Sequence, residues 1–91
     1  MIKYKNGEIF KGSFKESQRV FGRHTFPDGS YYEGTFRENM PHGNGEFYWP
    51  DGIKYSGQWK NGLQEGIGIE TSVNGKDLKG LWQNGNWVKW I

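Results

Sequence analysis

The sequence predicts an all-β fold, and three observations carry that prediction. Alanine, the residue that costs least in a helix, is absent from the 91 residues, and leucine occurs three times. Five Trp, five Tyr and six Phe outnumber Leu, Ile and Val combined, of which there are 12. Such rings favour pleated, half-buried surfaces. Fifteen glycines punctuate the chain, as frequent turns require. The mean hydropathy of −0.93 would suit a disordered chain, but each large ring can bury roughly 150–250 Å² and offsets the deficit. The expected core is thin, burying about 60–65% of the unfolded surface at this size.

The elements follow from a repeat. Phe10-Lys11-Gly12-Ser13-Phe14 is followed by Tyr32-Glu33-Gly34-Thr35-Phe36, Tyr55-Ser56-Gly57-Gln58-Trp59 and Leu78-Lys79-Gly80-Leu81-Trp82. The central glycines, Gly12, Gly34, Gly57 and Gly80, are spaced by 22, 23 and 23 residues. Asn6-Gly7, Asp28-Gly29, Asp51-Gly52 and Asn74-Gly75 keep the same steps. Two markers with one period define a repeat array. The chain divides into a partial unit (1–9), units at about 10–31, 32–54 and 55–77, and a truncated capping unit (78–91).

Each full unit reads as a hairpin. Tyr32 to Arg37 alternates with the period of a strand, Gly43 to Trp49 returns, and Pro50-Asp51-Gly52 turns into the next strand at about Lys54. Alternation puts Tyr32, Gly34 and Phe36 on one face with Gly43, Gly45, Phe47 and Trp49, and Tyr55, Gly57 and Trp59 with Gly66 and Gly68. Rings therefore share a face with glycines, whose bare backbone lets a neighbouring ring lie flat and recover part of the cost of strand glycine. The first unit is one residue shorter between Phe14 and Gly22, which predicts a different inner turn. At the C-terminus Asn84-Gly85 is a hairpin signal. It places Trp82 opposite Trp87 and Leu78 opposite Ile91, and makes the last strand a cap on the sheet edge. That register puts Lys89 opposite Gly80 on the aromatic face, an awkward placement that points to a bulge.

These motifs resemble the MORN (membrane occupation and recognition nexus) repeat family. The resemblance is carried by Tyr32-Glu33-Gly34-Thr35-Phe36, His42-Gly43-Asn44-Gly45 and Pro50-Asp51-Gly52, and by Tyr55 to Gly62 with Gly66-Ile67-Gly68. Glu38-Asn39 in place of Asn-Gly, Val20 within the glycine pair and Leu78 for the leading aromatic depart from the pattern. The resemblance implies an elongated, curved, single antiparallel sheet of successive hairpins with an aromatic-lined groove. It further implies scaffolding, dimerisation, the gripping of peptides or helices, or contact with acidic phospholipids.

Catalytic chemistry finds little support in the residues. His24 and His42 are the only histidines and cysteine is absent, whereas a zinc site needs three or four convergent ligands. No metal or cofactor is expected. His42, before a glycine, is assigned to a turn, and His24 to the outer, solvated face. Asp28 and Asp51 are turn residues, and Glu33 and Glu46 lie on polar strand faces, so no carboxylate pair has the burial that acid catalysis needs. The repeated Gly-x-Gly lies within strands and not before a helix as a phosphate loop does. The chain is expected not to be an enzyme. Its net charge of +2, from 12 basic and 10 acidic residues of mixed order, argues against nucleic acid. Lys15, Arg37 and Lys60 recur after the second aromatic, a column that could meet acidic head groups, but Glu16 and Glu38 follow two of them.

The aromatic face remains. A single sheet must bury at least one face, and no segment can serve as a helical lid. The chain is accordingly expected to be a non-catalytic protein-binding module (adaptor, inhibitor or dimerisation element). It would grip a peptide, helix or surface loop of another protein, or a second copy, through Tyr32, Phe36, Phe47, Trp49, Tyr55 and Trp59. Peripheral binding to acidic phospholipids is the alternative. No apolar run approaches the roughly 18 residues of a membrane span and no secretory apolar core follows Met1, so a cytoplasmic location is expected.

Overall fold

A computed structural model describes residues 1–91 as nine strands and no helix: β1 (Ile2–Lys3), β2 (Ile9–Lys15), β3 (Gln18–Thr25), β4 (Tyr31–Arg37), β5 (Met40–Tyr48), β6 (Lys54–Lys60), β7 (Leu63–Thr71), β8 (Asp77–Gln83) and β9 (Asn86–Trp90). They pair in chain order, every pair antiparallel, as one open sheet. Eight gaps of about 4.8 Å span roughly 38 Å, which matches the longest dimension of 38 Å, against 17 Å for the shortest. The sheet stays a single layer and does not roll into a barrel. Its accessible surface of 6039 Å² exceeds the roughly 5,500 Å² typical of a monomer of this mass, the consequence of having no second layer.

The period explains what replaces that layer. Gly12, Gly22, Gly34, Gly45, Gly57, Gly68 and Gly80 pair in succession and form one row across seven strands. Phe10 lies over Gly12 and Gly22, Tyr32 over Gly34 and Gly45, Tyr55 over Gly57 and Gly68, and Trp82 over Gly80. The second aromatic of each unit fills the gaps between these rings. The result is a continuous edge-to-face ladder, Phe14–Phe10–Phe36–Tyr32–Trp59–Tyr55–Trp82–Trp90, with centroids 4.9–6.0 Å apart and planes at 75–89°. This geometry suits the ring quadrupole and adds about 0.5–1.5 kcal/mol per pair beyond burial. Of the 13 buried residues, six are rings of the ladder and five are glycines of the row; the others are His24 and Ser30.

Each hairpin carries a bulge between the row glycine and the second aromatic of its leading strand. In the second unit Thr35 faces the three residues His42, Gly43 and Asn44, and in the third Gln58 faces Glu65, Gly66 and Ile67. The carbonyls of Thr35 and Gln58 are met by the Tyr32 and Tyr55 hydroxyls, at 2.7 and 2.9 Å. This is why a phenol, not a phenyl ring, leads these two units. Burial and, for Tyr48, the hydrogen bond to Glu46 disfavour ionisation. Tyr55 and Tyr48 are pushed up to about 12, and Tyr32 is also raised by burial. These phenols stay protonated in the native state where the unfolded chain ionises, near 10. The stability they contribute is complete below about pH 10 and is lost as pH rises towards 12. We predict that the phenolates of Tyr32 and Tyr55 emerge only together with loss of the strand circular dichroism signal. Titration of Tyr32 and Tyr55 near pH 10 in a chain that stays folded would contradict this.

The inner turns depart from expectation. The first unit's turn, Glu16-Ser17, has the same geometry as Glu38-Asn39, Asn61-Gly62 and Asn84-Gly85, with both residues at positive φ in each. Its missing residue comes out of the bulge, where Val20 alone is unmatched. Glu16 and Ser17, at φ of 52° and 66°, adopt a conformation that costs an L-residue roughly 1–2 kcal/mol. Ser17→Gly should therefore stabilise by about 0.5–1 kcal/mol once the greater freedom of the unfolded chain is subtracted. Thermal melting should show a rise of about 3–6 °C; an unchanged or lower midpoint would refute the assignment of strain.

Three further expectations are corrected by the register. The return strand of the second unit begins at Met40, immediately after the turn, and ends at Tyr48, so Trp49 stands in the outer turn. The Asn84-Gly85 turn sets Trp82 opposite Trp87 as expected. However, Val88 is bulged, so Trp90 faces Gly80 and Lys89 faces Leu81 on the opposite side. Ile91 consequently reaches Lys79, whose carbonyl accepts its N–H at 2.8 Å, and not Leu78. The bulge keeps lysine off the aromatic face.

Candidate functional site

The outer turns place the accessible rings. Tyr4, Phe26 and Trp49 each open a turn whose glycine N–H returns to their carbonyl, at 3.0–3.1 Å. Asn6, Asp28 and Asp51 fix those turns by accepting the N–H two residues on, at 2.9–3.0 Å. The three rings are spaced by 22 and 23 residues, so the array repeats them along one margin of the aromatic face. They run together as Tyr4–His24–Phe26–Phe47–Trp49, with centroids 4.8–6.1 Å apart. Tyr4, Phe26, Phe47 and Trp49 are half-buried, and Phe47 and Trp49 pack on the ladder.

The six residues singled out from the sequence divide by depth. Tyr32 and Tyr55 are 1% and 0% exposed, and Phe36 and Trp59 are 8% and 9%. These four are spent on the ladder and form the floor and wall of the site. Phe47 and Trp49 offer surface. Tyr4 and Phe26 were not anticipated, although their spacing equals that of the glycines and could have revealed them.

His24 is not on the outer face. It pairs with Phe10 and Tyr32, is 6% exposed and lies on the aromatic side. Counting alternation through Val20 assigns the wrong face, because Val20 is the bulge; counting from Gly22 assigns the right one. The His24 Nε2 lies 2.5 Å from Glu8 Oε1, and His24 together with the Asn6 amide holds the Glu8 carboxyl below its ordinary range. His42 sits on β5, and its Nδ1 accepts the N–H of Asn61 at 3.4 Å, so it serves the turn of the following unit. Glu65 takes the Asn84 N–H in the same way, at 3.2 Å.

The opposite face is largely polar and internally paired over its first half, with Phe21 exposed on it. Glu33 and Glu46 stand directly opposite each other, a like-charge pair relieved by the Arg23–Glu33 ion pair at 3.1 Å and by the Tyr48 hydroxyl on Glu46 at 2.8 Å. Tyr31 stacks on Tyr48 at 4.5 Å, beneath the Arg23 guanidinium. Towards the C-terminus Ile67 and Ile69 are exposed there. Lys15, Arg37 and Lys60 are exposed at strand ends beside the inner turns. No three His, Asp or Glu side chains converge as metal ligands, and no helix is long and apolar enough to cross a membrane.

A family model described as MORN repeat matches residues 10–31, 32–54 and 55–76. The chain belongs to the MORN repeat family. Membership accords with the hairpin succession and the glycine row, and it marks the chain as a repeat-type binding module from a family that is generally non-enzymatic. A search of curated protein sequences found no significant match. Among the MORN units here, the second and third share the large bulge and the Tyr-to-bulge hydrogen bond. The first differs on its return strand, where Arg19 and His24 occupy the register positions held by Pro41 and Phe47 in the second.

Proposed function

We propose that this MORN array is a non-catalytic protein-binding module, an adaptor, inhibitor or dimerisation element, that grips a segment of a partner on its aromatic face. The observation that carries the proposal is the strip Tyr4, Phe26, Phe47 and Trp49: four half-exposed rings lying against a ladder that fixes them. Rigid aromatic anchors lose little entropy on binding and commonly dominate interfaces. The surrounding charges are mixed in sign, with Glu16 and Glu38 in the turns beside Lys15 and Arg37, which favours a protein surface over an acidic bilayer.

The test uses a displayed library of random 12-residue peptides selected on the intact chain. Phe47→Ala or Trp49→Ala is expected to weaken recovered peptides at least tenfold while the circular dichroism spectrum and cooperative melt persist. Lys54→Ala, which removes an ammonium 5.7 Å from the Tyr48 ring on the opposite face, should change little. Binding should persist in high salt, whereas attachment to phosphatidylserine vesicles would fade. Recovery of peptides indifferent to Phe47 and Trp49 would move the site to another face.

A further inference from the structure

We infer that the N-terminal end of the aromatic strip is a carboxylate-receiving pocket, built by Arg19 and His24, which takes an aspartate or glutamate side chain of the bound segment next to an apolar residue. This inference rests on the protein-binding reading and names the chemistry of the partner. Arg19 is particular to the first unit. It stands opposite Phe14, where the second, third and fourth units set Pro41, Gln64 and Trp87 opposite their second aromatic. Arg19 is therefore a cation seated among the rings of the aromatic face. The guanidinium carbon lies 5.4, 5.3 and 5.9 Å from the centroids of Tyr4, Phe10 and Phe36. Nη1 donates to the Asn39 carbonyl at 3.2 Å and Nη2 to the Tyr4 hydroxyl at 2.7 Å. Nε is buried without a partner.

No carboxylate of the chain lies within 4 Å of this cation, and Glu8 acts on it only at longer range. The two ion pairs are Arg23–Glu33 and His24–Glu8. Glu8 is the nearby acid, but its Oε1 meets His24 and its Oε2 accepts from the Asn6 amide at 2.6 Å. A guanidinium seated among rings with no carboxylate within 4 Å can take a charge-assisted bond to a carboxylate, the strongest hydrogen bond open to it. His24 supplies a second unmet group, for its side chain is 7% exposed and Nδ1 has no partner.

A cavity of about 230 Å³ joins these groups, with Glu8, Arg19 and His24 on its polar side and Phe26, Phe36 and Pro41 on its apolar side. The combination selects its occupant. A carboxylate brings one negative charge to Arg19 beside Glu8 and a phosphate dianion about two, so Glu8 repels the phosphate more strongly. The apolar wall leads through Phe26 to Phe47 and Trp49, so the neighbouring residue of the segment falls on the ring strip.

The experiment sequences the peptides recovered from the random 12-residue library and synthesises one of them with its acid and with glutamine or asparagine in its place. Enrichment of Asp or Glu at one fixed position beside an apolar residue is expected. The amide peptide should bind the wild type at least tenfold more weakly, and the two should differ less than twofold on Arg19→Met, which keeps an apolar stem over the rings. Should Arg19→Met fail to fold, nitrogen-15 spectra of the wild type decide, since the Arg19 Nε–H resonance should move with the acid peptide and not with the amide peptide. Phe47-dependent peptides without an acidic preference, or equal binding of acid and amide forms, would overturn the pocket and leave the protein-binding reading standing. Failure to recover any peptide dependent on Phe47 or Trp49 would overturn both. Co-sedimentation with phosphatidylserine vesicles that Arg19→Met abolishes, without acidic peptides, would give the pocket to a lipid head group and overturn the inference.

Discussion

Gly45→Ala is expected to cost about 3–4 kcal/mol and to lower the melting temperature by roughly 15–20 °C. A methyl group on Gly45 would lie 2.5 Å from Cε1 and Cζ of the Tyr32 ring, well inside contact distance, so the ring must leave its place. Tyr32 cannot tilt freely. Phe36 and Trp59 meet it edge-to-face at 5.1 Å each, and its hydroxyl is committed to the Thr35 carbonyl. Displacement would thus open two joints of the ladder and strip the bulge of its donor. Backbone strain contributes nothing, because Gly45 is not at positive φ. Gly29→Ala is the matched control. Gly29 has φ of 93° with nothing within 4 Å of an added methyl, so only conformational cost remains, about 1 kcal/mol. Equal melting temperatures for the two variants would show that the glycine row is not a bed for the rings.

That row was legible in the sequence because it depends only on period. Glycines repeating at 22 and 23 residues can fall in register only if successive hairpins have matching lengths, and the Asn-Gly turns confirmed the hairpins. Depth and the bulges within the repeats were not legible. Alternation assigns Tyr32, Phe36, Phe47 and Trp59 to one face but does not say which ring lies beneath another. That order is set by the absence of side chains on the opposite strand's glycine, a pairing known only once the register is. A bulge adds a residue without interrupting the period, so Val20 carries no signature that distinguishes it from a ladder residue, and the face of His24 was lost with it. The candidate pocket fell in this gap, since Arg19 reads as an ordinary strand charge until Val20 is recognised as the bulge beside it. At the C-terminus the awkward placement of Lys89 opposite Gly80 did point to the bulge, which falls at Val88.

Trp59→Ala should destabilise by about 4 kcal/mol, in the range for a buried large ring, and should leave the chain partly unfolded at physiological temperature. Trp59 is 9% exposed. It bridges two units by meeting Tyr32 at 5.1 Å and Tyr55 at 5.3 Å, and its Nε1–H binds the Gly45 carbonyl at 3.1 Å. Truncation would break the ladder at its centre, expose both neighbours and remove the indole's hydrogen bond to the Gly45 carbonyl. Trp59→Phe separates the contributions, because it keeps most of the ring contact and forfeits the hydrogen bond, at a cost of about 1–2 kcal/mol. Thermal melts followed by circular dichroism should place the variants in the order wild type, Trp59→Phe, Trp59→Ala. A Trp59→Ala chain that melts within about 5 °C of wild type would mean that Trp59 is a surface ring after all. The comparison with Phe47→Ala then carries the functional argument. Phe47 lies on the same face, 6.2 Å from Trp59, but is only half-buried. Its loss should therefore appear in binding before it appears in the melt, while loss of Trp59 should appear in both together.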